Sequence, residues 1–194
     1  MKTYNVKITG TTALLQNRFD EKAEASLGKS TRTVVRKKET PRKAAERACY
    51  KTKEGEYYMP AACITRMLSE AGSNHKLTGS RKSAKYAVYA AVFLPAETLT
   101  ILNGDGATPA AEFEVDSRPV VIRVTGGRFM RHRPRFDEWS IAFTARINDD
   151  VLPPDFVHQL MSEGGQQIGI GDFRPQCRGP FGTFNVVKWE VLEE

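Results

Sequence analysis

Residues 139–147, WSIAFTARI, put Trp139, Ile141, Phe143, Ala145 and Ile147 at alternate positions, with Ser140, Ala142, Thr144 and Arg146 between them. A period of two is the signature of an extended chain with one face buried and one face wet. This stretch is the clearest amphipathic strand in the sequence, and the elements on either side of it decide the fold. Downstream, Pro153 and Pro154 introduce a helix whose inner face is Phe156, Val157, Leu160 and Met161, with Gly164-Gly165 expected to close it. A glycine-rich stretch, GIGDFRPQCRGPFGTF (169–184), leads into a last strand from Phe184 to Leu192.

Upstream, Tyr4, Val6 and Ile8 alternate with Asn5, Lys7 and Thr9 as a first strand. Residues 41–52 have helical composition with Pro41 in the first turn, and Glu56 to Met59 is extended. Pro60 opens a helix with Ile64, Met67, Leu68 and Ala71 on one face, ended by Gly72. The apolar run YAVYAAVFL, residues 86–94, is expected to be a central strand. A turn falls at Asn103-Gly104-Asp105-Gly106, within a small hairpin. Val120 to Val124 is expected to be a strand that runs into a projecting basic loop, GGRFMRHRPRF. Stripped of loops, the order is strand, helix, strand, strand, helix, strand. That is an α+β, ferredoxin-like (RRM-like) βαββαβ core. The expectation is one domain over residues 1–194, with basic loop insertions at about 11–53, 73–84 and 95–137.

Net charge is +6, and its distribution says more than its size. Residues 29–53 hold ten Lys/Arg and two Glu, residues 73–86 hold four Lys/Arg and no acid, and residues 118–135 hold six Arg and no acid. A polyanion is the natural partner of such blocks. Cys49, Cys63 and Cys177 have no CxxC spacing, which supports neither a zinc site nor a disulfide. No cofactor or metal is expected. The N-terminus alternates instead of forming an apolar signal segment, and no apolar run reaches the roughly 18 residues of a membrane span. The expected compartment is a reducing cytoplasm.

The pattern of Gly169, Gly171, Gly179 and Gly182 with Phe181 before a strand resembles the signature loop of the RAMP superfamily of CRISPR-associated RNA-binding proteins. YMPAACITRMLSEAG is similar to the element opening the first helix of that family's backbone subunits, and RHRPRFDEW is similar to short phage-encoded relatives. The resemblance spans the core strands and helices. It implies a loop that contacts RNA backbone, in a phage-encoded or stand-alone protein of a bacterial cell.

Physically, such a loop offers approachable backbone N–H groups, and Arg174 and Arg178 add charge-assisted contacts to phosphate. Phe173 is a candidate stacking residue, and Phe181 either stacks or plugs the loop onto the core. Arg128, Arg131, His132, Arg133 and Arg135, interleaved with Phe129 and Phe136, suit a groove that tracks a single strand. Lys76, Arg81, Lys82, Arg36, Lys37 and Lys38 extend the same basic surface. Single-stranded RNA or DNA is the expected partner, RNA favoured, with copies of the protein assembling head to tail along the strand. Two alternatives stand beside this. The first is a metal-independent endoribonuclease of the RAMP type with His75 or His132 as general base, or with Asp20 as a loop carboxylate. The second is a phage protein that binds a host protein.

Overall fold

The computed structural model describes residues 1–19, 39–121 and 126–192. Asp20, Arg36, Lys37 and Lys38 lie outside the described residues, as does the part of the expected 120–124 strand beyond Val121.

The chain is mixed α+β with antiparallel sheets. The main sheet has the order β4–β8–β1–β9, formed by β4 (Val92–Phe93), β8 (Ser140–Ile147), β1 (Lys2–Gly10) and β9 (Phe184–Leu192), every neighbouring pair antiparallel. The register sets Val6 opposite Phe143 and Ile8 opposite Ile141, so the alternating apolar residues of both strands share one face. Helices α2 (Ala61–Gly72) and α4 (Pro154–Gln167) bring Ile64, Met67, Leu68, Val157, Leu160 and Met161 into the same buried cluster as Val6, Ile8, Ile141 and Phe143. Each such side chain, fully buried, contributes roughly 1.5–3 kcal/mol. The opposite face of the sheet carries Asn5, Lys7, Thr144, Lys188 and Glu190.

A second sheet, β2–β7–β6, joins β2 (Leu14–Leu15) to a long hairpin of β6 (Glu114–Val121) and β7 (Arg128–Phe136). Helix α1 (Pro41–Arg47) lies against this hairpin, N-capped by Thr40, whose hydroxyl accepts from the Lys43 amide. A small pair, β3 (Tyr58–Pro60) and β5 (Thr98–Thr100), stands at the start of α2. Between α2 and β4 runs the short helix α3 (Ala87–Ala91).

Three sequence expectations are corrected. The run 86–94 is helix α3 followed by the two-residue edge strand β4, not a central strand. Ala84, Val88 and Ala91 are buried while Tyr86 and Tyr89 are exposed, a helical spacing that the apolar tyrosines and alanines hid. The stretch GGRFMRHRPRF is not a projecting loop, because nearly all of it is strand β7, paired with β6 from Arg128 to Arg135. Helix α4 runs through Gly164-Gly165 to Gln167. Those glycines mark close packing, since a Cβ at Gly164 would meet Met67 of α2 and one at Gly165 would meet Phe184 of β9. Among the described residues, no helix is long and apolar enough to cross a membrane.

Candidate nucleic-acid interface

The glycine-rich segment between α4 and β9 folds onto itself and onto the chain around β2. Gly171 has φ of +80° and a Cβ there would strike the Leu15 carbonyl; Gly182 has φ of +73° and would strike the Ile170 carbonyl. Both positions need glycine for backbone angle and for close approach. The amides of Asp172 and Gly182 donate to the carbonyls of Leu15 and Ala13, each at 2.8 Å, and the Gly179 amide donates to the Arg174 carbonyl at 3.0 Å. Phe181, 7% exposed, closes the loop over Ala13 and Leu15, with Phe173 packed beside it. Three amides, those of Gly171, Phe173 and Arg174, donate to no protein acceptor among the described residues. Phe173 and Arg178 hold positive φ, 49° and 63°, without being glycine. Strain of that kind persists only where the surroundings impose it.

The hairpin meets this loop through a chain of alternating charges. Strand alternation puts Phe129, Arg131, Arg133 and Arg135 on one face of β7, opposite Val120, Arg118, Asp116 and Glu114 of β6. Arg133 Nε donates to Asp172 Oδ2 at 2.6 Å, and its Nη1 lies 3.8 Å from Asp116 Oδ2. Asp116 Oδ1 accepts from Arg118 Nε at 2.7 Å, while its buried Oδ2 has no hydrogen-bond donor. Arg133 and Asp116 are both buried. The guanidinium of Arg118 stands 4.7 Å from the centre of the Phe181 ring, and those of Arg135 and Arg133 stand 6.0 Å from Phe181 and Phe173. These cations hold the loop in place.

What remains open is a groove made of three clefts that share residues. The first, about 320 Å³, is lined by Asn17, Arg18, Phe19 and Arg47 on one side and by Phe129, Arg131 and His132 on the other. Asn17 carries it into a second, about 220 Å³, lined by Tyr50, Cys63, Gly171, Asp172 and Arg174. Cys63, Gly171 and Arg174 carry that into a third, about 110 Å³, which ends at Arg66 and Gln176. Phe19 is 61% exposed and Phe129 38% exposed at the first cleft. Arg131 donates to Asn17 Oδ1 at 3.1 Å and its guanidinium stands 5.3 Å from the Phe129 ring centre. Arg174 is held by the Gly171 carbonyl at 2.8 Å and by Gln176 Oε1 at 2.7 Å, which leaves the rest of its guanidinium toward the groove. Burial pushes the Cys63 thiol up, and Arg174 and Arg66 oppose that push. Cys49, buried away from this path, is pushed up to about 12, chiefly by burial.

The groove gathers Arg131, His132, Gly169, Gly171 and Arg174 from the sequence-predicted set. Arg128 is exposed at the hairpin end, and Arg178 is exposed beside Gly179 on the loop. Lys76, Arg81 and Lys82 are exposed on the 73–86 segment and line none of the three clefts. His75 bonds Glu163 Oε2 at 2.6 Å and meets Phe156 in an edge-to-face contact, so it bridges α4 to that segment. His132 lines the first cleft and shares a 2.7 Å hydrogen bond with Ser117 Oγ. Arg47 belongs to the basic block 29–53 that the sequence singled out, whereas sequence reasoning missed Asn17, Arg18, Phe19, Tyr50 and Arg66. For Arg66 the signal was present, because i,i+3 spacing puts it on the same flank of α2 as Cys63. No family model matches the chain, and no curated protein matches it.

Proposed function

We propose that the four-stranded sheet with α2 and α4 is a ferredoxin-like βαββαβ core of the RAMP type, and that the groove binds single-stranded nucleic acid, RNA in preference to DNA. The strand order β4–β8–β1–β9 and the connections β1–α2–β4 and β8–α4–β9 support the first part. One observation carries the second. Three clefts that share lining residues hold arginines in each, two exposed phenylalanines in the first and, beside the other two, loop amides with no acceptor among the described residues. Cations and amides suit phosphates, and exposed rings suit bases stacked without regard to sequence. Indifference to sequence lets successive copies occupy one strand. Arg133 and Phe181 serve this function by holding the loop, and Arg131, Arg174, Arg66 and Phe129 by touching the ligand.

The test is to purify the protein without nuclease, read the 260/280 nm absorbance ratio across a size-exclusion peak, and digest with RNase or DNase. The expected result is a large, nucleic-acid-rich species that collapses under RNase. A nucleic-acid-free protein that still fails to bind added oligonucleotides at low salt overturns the reading and moves the basic surface to a protein partner.

The position of His132 favours a second reading, metal-independent RNA cleavage. An imidazole beside Arg131 on the groove wall is placed to take a proton from a 2′-hydroxyl. Cleavage that persists in EDTA, leaves a 2′,3′-cyclic phosphate and spares a 2′-deoxy substrate is its signature. Intact RNA after prolonged incubation removes it.

A further inference from the structure

Strand β9 forms one edge of the main sheet, and its outer side pairs with no strand among the described residues. The opposite edge, β4, is two residues long, whereas β9 is nine. Long edges invite pairing, and proteins blunt them with charges and bulges. β9 has both devices, Lys188 and a register break opposite Lys7 and Ile8 that leaves Val187 unpaired. It also keeps large apolar side chains in the open, with Val187 at 56% and Val191 at 54% exposure.

The charge order along the strand selects one partner. Lys188 and Glu190 share a face of β9 and lie 3.0 Å apart. In an antiparallel pair, opposed residues must lie on the same face, so allowed registers of two identical strands differ by steps of two. A register centred on Lys188 opposes lysine to lysine, and one centred on Glu190 opposes glutamate to glutamate. Centring on Trp189 sets each Lys188 against Glu190 of the other copy and brings Val191 beside the other Val187. Opposite charges facing across strands stabilise a pair and like charges oppose it. We infer that β9 is a self-recognition edge, through which two copies of this chain join antiparallel about a two-fold axis at Trp189 into one eight-stranded sheet. Such a contact is isologous and closes at two copies, so it makes dimers and not a filament. The short β4 edge offers too little ladder for a head-to-tail continuation. The inference does not depend on the groove, which β9 does not line.

The test is sedimentation equilibrium of the full chain, stripped of nucleic acid, at moderate salt. The wild type is expected to dimerise. Lys188→Glu and Glu190→Lys each create two like-charge oppositions and are expected to weaken the dimer by roughly tenfold or more. The double variant carrying both substitutions restores the alternation and is expected to recover it, which separates a pairing effect from misfolding. A monomeric wild type, single variants that dimerise unchanged, or a double variant that stays monomeric would each overturn the inference.

Discussion

The glycine loop and the basic hairpin touch through Arg133 and Asp172, yet they use their residues in opposite ways. In the loop, glycine spends most of its freedom inward: Gly171 and Gly182 let the backbone press against Leu15 and Ile170, and most loop amides bond within the protein. In the hairpin, charge is divided by strand alternation and depth. Arg133 is buried among Asp116, Asp172 and Phe173, while Arg131 and Phe129, nearer the tip, line the groove. A glycine-rich, arginine-rich sequence is thus partly buried scaffold and partly open surface, and burial tells the two apart.

That division is sharpest at Arg133. Arg133→Ala breaks the 2.6 Å bond to Asp172 that holds the loop and leaves the buried Asp116 carboxylate with Arg118 alone, so we expect a stability loss of about 3 kcal/mol in urea denaturation. If Arg133 were a ligand contact, stability would hold and only affinity would fall. Gly182→Ala comes next, with about 2 kcal/mol lost, because the added methyl meets the Ile170 carbonyl at a left-handed backbone angle. On the contact side, Phe129→Ala should leave the melting temperature nearly unchanged and weaken oligonucleotide binding by about 1–2 kcal/mol, read by fluorescence anisotropy. Arg66→Ala, at the far end of the groove, should lower the slope of log K against log salt by about 0.7. An unchanged slope would place the phosphate path elsewhere.

The smallest effect lies away from both regions. A hydrogen bond from Gln159, then one from His75, holds the Glu163 carboxyl below the usual glutamate range. A depressed folded value means the contribution is present above the ordinary glutamate pKa and fades as pH falls through the folded value. Gln159→Ala should therefore lower stability slightly at neutral pH, flatten its fall toward acid, and leave stability below the folded value unchanged. Thermal melts across that range provide the measurement.

Legibility followed burial. Trp139–Ile147 and Tyr4–Ile8 were readable because one face of each is buried and the other is wet, which stamps a period of two on the sequence. Residues 86–94 were not, because a short run of alanines, valines and tyrosines carries no clear period and suits helix or strand alike. Strand β7 was hidden for another reason. One of its faces carries Phe129, Arg131, Arg133 and Arg135, with the guanidiniums of Arg133 and Arg135 lying 6.0 Å from the Phe173 and Phe181 ring centres, so cations stand where a pattern search expects apolar residues. Of the groove, the glycine loop and hairpin could be nominated from composition. Asn17, Phe19 and Tyr50 could not, because only the folded chain brings those separate segments to one path.

The most direct test of the groove is a salt titration of single-stranded oligoribonucleotide binding to the nucleic-acid-free full chain, run beside a variant carrying Arg66→Ala and Arg131→Ala. The account predicts a straight, steep fall of log K with log salt for the wild type, and a slope shallower by about 1.4 for the variant, two contacts at about 0.7 each. Parallel lines for the two proteins, or affinity indifferent to salt, would contradict it.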